Sequence, residues 1–439
     1  MLDELLGRVA VIGAAGKMGR GIALLLLEEM ARLRARSGGA FKLQLIDSSA
    51  EALDTLRPYF REHLAKFAER NINQLRAWYA SNADLVDNAD MIAAFVEGGL
   101  DMVDTNTQVH AAADAHLVFE AIVEDVDAKA TLYKELREIA RAVPAYYFTN
   151  TSSIPVSVLD KKARLGHRII GFHFYNPPPV QKLVEVITGA DTDPALHALA
   201  LELGKRLGKT LVPSNDIAGF IGNGHFIREI SYACEQAMEI AGPRSREQAI
   251  TMMDRVTRAF MLRPMGIFQL MDYVGLDVCR KIIGVMAEHT PGAAFSTELI
   301  DQMLATGVRA GQHPDGSQRD GFFQYKDGVP AAVYSLERST YAALENEACD
   351  RALGALPEGC APWRGLVKDP ARAARMTTYF GNLFREKTMG AKFAQAFLLK
   401  SRDIAQGLVH DGVARSTEDV NAVLQLGFAH LYGPVNDYY

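Results

Sequence analysis

Along the first half of the chain, short apolar runs alternate with longer stretches in which apolar residues recur every three to four positions. Residues 8–13 are an apolar run ending in glycine, 17–36 carry a helical period, and 41–47 are a second run ending in LQLID. Further runs at 116–122, 145–149 and 169–174 accompany a helical stretch at 125–143. Residues 49–95 are amphipathic, with Pro58 near their start, and predict a helical excursion. Repeated strand–helix–strand predicts a parallel sheet with helices on both faces. After Pro213 the strand pattern stops, and 217–242 and most later segments predict helices. A stretch at 309–328, holding Gly311, Pro314, Gly316, Gly321 and Gly328, reads as a loop closing a domain. The expected order is an α/β domain at 1–213, a helical domain at 214–330 and a second helical domain at 331–439. A thin internal repeat supports the last division. Asp254 with Pro264-Met265-Gly266 can be laid over Asn421 with Leu431-Tyr432-Gly433, each after an acidic helix start.

The 439 residues exceed one small core, which fits several domains. The formal charge of −6 leaves no basic footprint for nucleic acid. No apolar run reaches the length of a membrane span. The acidic start MLDELLGR is unlike a secretory leader, and four cysteines without a CxxC pair suit a reducing compartment. A cytoplasmic location is expected, and no metal site.

The segment 9–19, VAVIGAAGKMG, is a buried strand entering glycines and then a helix. Glycines there let the backbone approach a pyrophosphate, and the helix start offers N–H groups to it. The candidate cofactor contacts are Gly13, Gly16, Lys17, Met18 and Gly19. The spacing is one residue longer than the standard GxGxxG. Asp47, ending the next strand, can accept hydrogen bonds from ribose hydroxyls and would repel a 2′-phosphate, so NAD is expected over NADP. These features predict a Rossmann-type N-terminal domain followed by all-α C-terminal domains.

Oxidising a secondary alcohol requires a base for the hydroxyl proton beside a hydride acceptor. His173, ending an apolar strand, suits that task, and a carboxylate behind it would fix its tautomer. Glu185 sits inside the apolar run LVEVI, where an unpaired charge is costly, so His173 is its expected partner.

The runs 150–153 (NTSS), 173–177 (HFYNP), 182–187 (KLVEVI) and 219–223 (GFIGN), at these spacings, resemble the 3-hydroxyacyl-CoA dehydrogenase family. So do 120–124 (EAIVE), and PMG at 264–266 followed by LMD at 270–272. The resemblance covers residues 8 to 326, and the remainder is similar to the second helical repeat of longer relatives. It implies His173 as general base, Glu185 as its orienting anion, Ser152 at the reacting oxygen or nicotinamide, and Asn223 at the thioester end. It also implies Glu124, Lys129 and Asn176 as NAD contacts. The implied reaction is reversible oxidation of (3S)-3-hydroxyacyl-CoA, as in fatty-acid β-oxidation, with a separate enoyl-CoA hydratase and thiolase as neighbours. Alternative readings are a dehydrogenase of a free hydroxy acid or sugar acid, and a non-catalytic NADH-binding protein. A monomer or a homodimer is expected, the monomer if the second repeat replaces a partner's packing.

Three features depart from the family pattern: the longer glycine loop, Gly222 and Gly224 around Asn223, and Gln312-His313-Pro314-Asp315 in place of a lysine-rich approach. The cations Arg57, Arg61, Lys66 and Arg70 lie about a helical turn apart. They could meet CoA phosphates or form a solvated face.

Overall fold

The computed structural model describes residues 1–141, 145–290, 294–313 and 316–439. Val143, at the end of the expected helix 125–143, and Pro314-Asp315 of the expected loop lie outside the described residues. Two compact units are present, Met1–Asp216 and Ile217–Tyr439.

The first unit is built on eight strands: β1 (Arg8–Ile12), β2 (Lys42–Ile46), β3 (Val103–Asn106), β4 (Leu117–Glu120), β5 (Tyr146–Thr149), β6 (Ile169–Phe174), β7 (Leu183–Thr188) and β8 (Thr210–Asn215). Their order in the sheet is β3-β2-β1-β4-β5-β6-β7-β8. β1 to β6 run parallel, and β7 pairs antiparallel to β6. This is a Rossmann-like α/β domain whose order reverses between β1 and β4, the place where such sheets open a crevice for ligands. The apolar runs become strands because both faces are covered: β4, β5 and β6 are buried along their whole length. The excursion after β2 is helical, as Ala50–Asp54, Leu56–Arg70, Ile72–Trp78 and Asn88–Leu100. Its sequel β3 was not anticipated: its burial is only partial, so no apolar run marks it.

Arg61 pairs with Glu97, Lys66 donates to Glu62 at 2.5 Å, and Arg57 reaches the Leu100 carbonyl at 3.4 Å. Three of the four excursion cations therefore have hydrogen-bond partners within their own unit, and Arg70 acts on the Glu28 carboxyl there.

The second unit is mainly helical, with a three-stranded antiparallel sheet added: β9 (Phe323–Lys326), β10 (Val329–Ser335) and β11 (Thr340–Ala343). Two expected boundaries move. The first, at 213, falls inside β8, whose pairing with β7 carries the unit to Asp216. The second, near 330, falls inside β10, and buried residues from both sides of it join one core, among them Ile250, Phe260, Tyr379, Phe380 and Phe397.

The two segments aligned in the sequence share features of local geometry. Asp254 Oδ1 accepts from the amides of Phe268 and Gln269, while Asn421 Oδ1 accepts from Val435 N. A Cβ on Gly266 would lie 2.1 Å from Asp254 Oδ1, and one on Gly433 would lie 2.1 Å from Asn421 Cγ. Leu262 and Ala429, at matching places, both take positive φ, 53° and 55°. Gly224 also gains a reason. A Cβ there would stand 3.2 Å from Leu408, on the helix Met389–His410, so a larger residue would press on that helix.

A buried polar cluster joins the helices Gly222–Ile240 and Met389–His410. Arg263 makes two hydrogen bonds to Glu229, at 2.9 and 2.7 Å, and fully buried His225 meets the Ser401 carbonyl at 3.1 Å. Burial raises the Glu229 carboxyl, but Arg263 and His225 outweigh it and hold it down at about 2. Burial holds the His225 imidazole below its ordinary range. Both shifts act in one direction. A depressed carboxylate adds stability above its unfolded value of 4.5, and that stability is lost as pH falls. A histidine held neutral loses stability below its unfolded value of 6.5, because the unfolded chain binds the proton better. Each group contributes at most about 1.4 kcal/mol per pH unit. In full-length protein carrying Trp78→Phe, so that Trp363 reports on the second unit, the urea midpoint should fall between pH 7.5 and pH 5. His225→Gln should flatten that fall.

Candidate active site

β1, β2, β4, β5 and β6 are parallel, so their C-terminal ends and following loops share one edge of the sheet. Nearly all the first-unit candidates lie on that edge.

After β1, Gly13 takes φ 77°, and a Cβ there would lie 2.6 Å from the Ala121 carbonyl. A Cβ on Gly19 would lie 1.9 Å from the Gly13 carbonyl. Only glycine allows the loop to fold this tightly onto the helix Lys17–Ser37. That helix starts at Gly16 without a side-chain cap and has no acidic residue in its first turn. Its first N–H groups have no intrahelical acceptor, and an anion there is favoured by the macrodipole. Lys17 sits in that first turn, its ammonium held below the usual range by burial and by Arg20. Two cations at a positive helix end are unfavourable alone and become favourable beside a bound phosphate. Asp47 Oδ2 accepts from Ala15 N at 3.0 Å and Oδ1 from Ser49 N at 3.3 Å, fixing the acidic group against the loop. The cradle, helix start and carboxylate fit a dinucleotide.

Glu124 anchors the next part. Its Oε1 accepts from Thr151 Oγ1 at 2.7 Å, Ser152 N at 2.9 Å, Ser153 N at 3.0 Å and Ser153 Oγ at 2.9 Å. Ser152 Oγ stands 3.4 Å away. Burial raises this carboxyl, but Lys129 and the surrounding donors prevail and hold it below the usual range. Lys129 is itself enclosed, 1% exposed, with Nζ 2.6 Å from Glu120 Oε1 and 3.5 Å from Glu124 Oε2. Burial opposes its charge, and the two carboxylates raise it above the usual range. Thr149 and Tyr133 complete the shell of Glu120, at 2.7 and 3.2 Å. Lys129 therefore meets carboxylates rather than open surface. Thr149 and Tyr133 escaped the sequence reading, and Glu120 entered it only within the 120–124 motif, because each meets the candidate residues through a neighbour.

His173 and Glu185 are direct partners in the β6–β7 register. His173 Nδ1 lies 3.2 Å from Glu185 Oε1; Glu185 is fully buried and His173 is 8% exposed. Antiparallel pairing is what sets the two side chains opposite each other. Asn150 Oδ1 accepts from Phe174 N at 2.9 Å and ties the end of β6 to the β5 loop. Tyr175 was missed. Its hydroxyl donates to the same Glu185 oxygen at 2.6 Å, and its ring centroid is 4.8 Å from that of His173. The signal was its spacing, two residues beyond His173 along an extended segment. Burial first, then Glu185, pushes its phenol well above the usual range, so it stays a donor.

Asn176 lies in the segment joining β6 to β7. Lys209 donates to the carbonyls of Pro178 and Gln181 in that segment, at 2.5 and 2.8 Å. Asn223 belongs to the other unit, in the first turn of the helix Gly222–Ile240. Among the described residues no group of three or more His, Cys, Asp or Glu is placed to hold a metal ion, and all four cysteines are free thiols. No described helix is long and apolar enough to cross a membrane.

Two family descriptions match the chain: 3-hydroxyacyl-CoA dehydrogenase, NAD binding domain, over residues 8–217, and 3-hydroxyacyl-CoA dehydrogenase, C-terminal domain, over 219–324. The 3-hydroxybutyryl-CoA dehydrogenase of Mycobacterium tuberculosis is 31% identical over 325 residues, covering 74% of this chain and all of that one. The solved (S)-3-hydroxybutyryl-CoA dehydrogenase of Ralstonia eutropha is 25% identical, with TM-score 0.52 over 70% of this chain and 95% of that one. The fold of the Escherichia coli 3-hydroxybutyryl-CoA dehydrogenase, 22% identical, is similar over 98% of this chain and 90% of that one, with TM-score 0.62. On these matches, and on the glycine cradle and His–Glu pair that accompany them, the chain belongs to the 3-hydroxyacyl-CoA dehydrogenase family.

Proposed function

We propose that this protein interconverts (3S)-3-hydroxyacyl-CoA and 3-ketoacyl-CoA with NAD. The observation that carries the reading is the buried Glu185 carboxylate set against the His173 imidazole on the sheet edge that also bears the glycine loop. NAD, when bound, supplies the hydride acceptor.

Glu185 accepts from Nδ1–H, which makes Nε2 the nitrogen that takes the 3-hydroxyl proton. As the imidazolium forms, the carboxylate beside it stabilises the charge in a site with little competing water. Ser152, whose backbone and hydroxyl are gathered by Glu124, hydrogen-bonds the reacting oxygen. Asn223 holds the thioester end. Gly13, Gly16, Lys17, Met18 and Gly19 take the pyrophosphate, Asp47 the ribose, and Asn176 and Glu124 the nicotinamide side. Lys129 acts through Glu124, whose orientation it fixes. The (3S) configuration follows the (S)-specific relative from Ralstonia eutropha. An enoyl-CoA hydratase would supply the substrate and a thiolase consume the product, in the cytoplasm.

We read residues 331–439 as the second helical repeat of a longer family form. The paired Asp254–Gly266 and Asn421–Gly433 arrangements support this. The second repeat then supplies within one chain the packing that shorter relatives obtain by dimerising, and the protein is a monomer.

Two measurements test the reading. NADH oxidation with acetoacetyl-CoA and longer 3-ketoacyl-CoA esters should be fast and with free keto acids absent. His173→Gln should lower kcat by about 10²- to 10⁴-fold, the usual worth of a general acid–base, while NADH still binds. Fluorescence titration should show NADH binding at least about tenfold tighter than NADPH, a difference of about 1.4 kcal/mol. Asp47→Asn should narrow that gap; tighter NADPH binding by the wild type would reject the role of Asp47.

A further inference from the structure

One oxygen of Glu185 serves two donors, and only one of them belongs to the proton-transfer pair. His173 Nδ1 lies 3.2 Å from Oε1, a long contact for a charge-assisted bond, whereas the Tyr175 hydroxyl donates to the same atom at 2.6 Å. The phenol is the nearer donor by a wide margin. A hydrogen bond to a carboxylate stabilises the anion and draws charge away from other partners of that oxygen.

We propose that Tyr175 is a positioning residue that meters the negative charge Glu185 presents to His173, and so sets the pH at which the pair exchanges its proton. The inference rests on the role of His173 given above. Tyr175 donates to the anion whether His173 is neutral or charged. It therefore takes up part of the carboxylate's capacity that would otherwise stabilise the imidazolium.

The sheet sets further neighbours of the pair. Glu185 faces Val212 in the β7–β8 register. Gly171, two residues before His173, pairs with Thr149 of β5. Lys209 lies over the ring of Phe174, 6.0 Å from its centroid, on the face of β6 opposite His173.

The test is the isosteric change Tyr175→Phe, followed by the ¹³Cε1 NMR titration of His173 and by the pH profile of kcat/KM for the hydroxyacyl-CoA. With the phenol removed, Glu185 Oε1 loses the nearer of these two donors and keeps His173. The His173 titration midpoint and the acid limb of the profile should then both rise by about half a pH unit or more, equivalent to about 0.7 kcal/mol. A structural role alone would change kcat or stability with the midpoint unmoved. In the Glu185→Gln background the same Tyr175→Phe change should leave the midpoint where Glu185→Gln sets it, since no anion remains to meter. A midpoint that stays in place or falls in Tyr175→Phe overturns the inference. The NMR titration needs no substrate. A shifted midpoint in protein without hydroxyacyl-CoA activity would uphold the role of Tyr175 and refute the proposed reaction.

Discussion

A carboxylate with none of its surface in water requires partners, because an unanswered buried charge costs several kcal/mol. Glu185 is such a group, and its position in β7 dictates much of the first unit. β7 runs antiparallel to β6, which places the carboxylate directly opposite His173. Asn150 then pins the end of β6, and Lys209 fastens the segment that returns to β7. The sheet holds the pair by backbone register rather than by flexible loops, which suits groups that must keep their geometry through a proton transfer.

A second buried charge network, Glu120–Lys129–Glu124, does comparable work from the end of β4, with β5 between it and β6. It spends a lysine and two carboxylates to gather the backbone and hydroxyls of residues 151–153 around one oxygen. The two networks converge on the C-terminal edge of the sheet, beside the glycine loop. In the second unit the Glu229–Arg263–His225 cluster reaches the helix that carries Ser401, a further case in which buried charge fixes register between packed elements.

What could be read from the sequence was whatever writes itself in local pattern. The apolar runs of β1, β2, β4, β5 and β6, the glycine cradle, Asp47 and the His173–Glu185 partnership were all legible, the last because a lone acid in an apolar run demands a partner. β3 was not, since its residues are half exposed and polar. β9 to β11 were not, since short half-exposed strands beside glycine-rich turns look like loop. The division near 330 has a different history: a glycine-rich stretch looks like the end of a domain, whereas buried residues on both sides of it belong to one core. Tyr175 and Thr149 were hidden because their importance lies in which oxygen they touch.

The central claim is that His173 and Glu185 act as one proton-transfer unit, and a double-mutant cycle on kcat tests it most directly. His173→Gln, Glu185→Gln and the double variant would be compared with the wild type. If the carboxylate works only through the imidazole, the double variant is no slower than His173→Gln alone. Independent losses that multiply in the double variant would contradict the account.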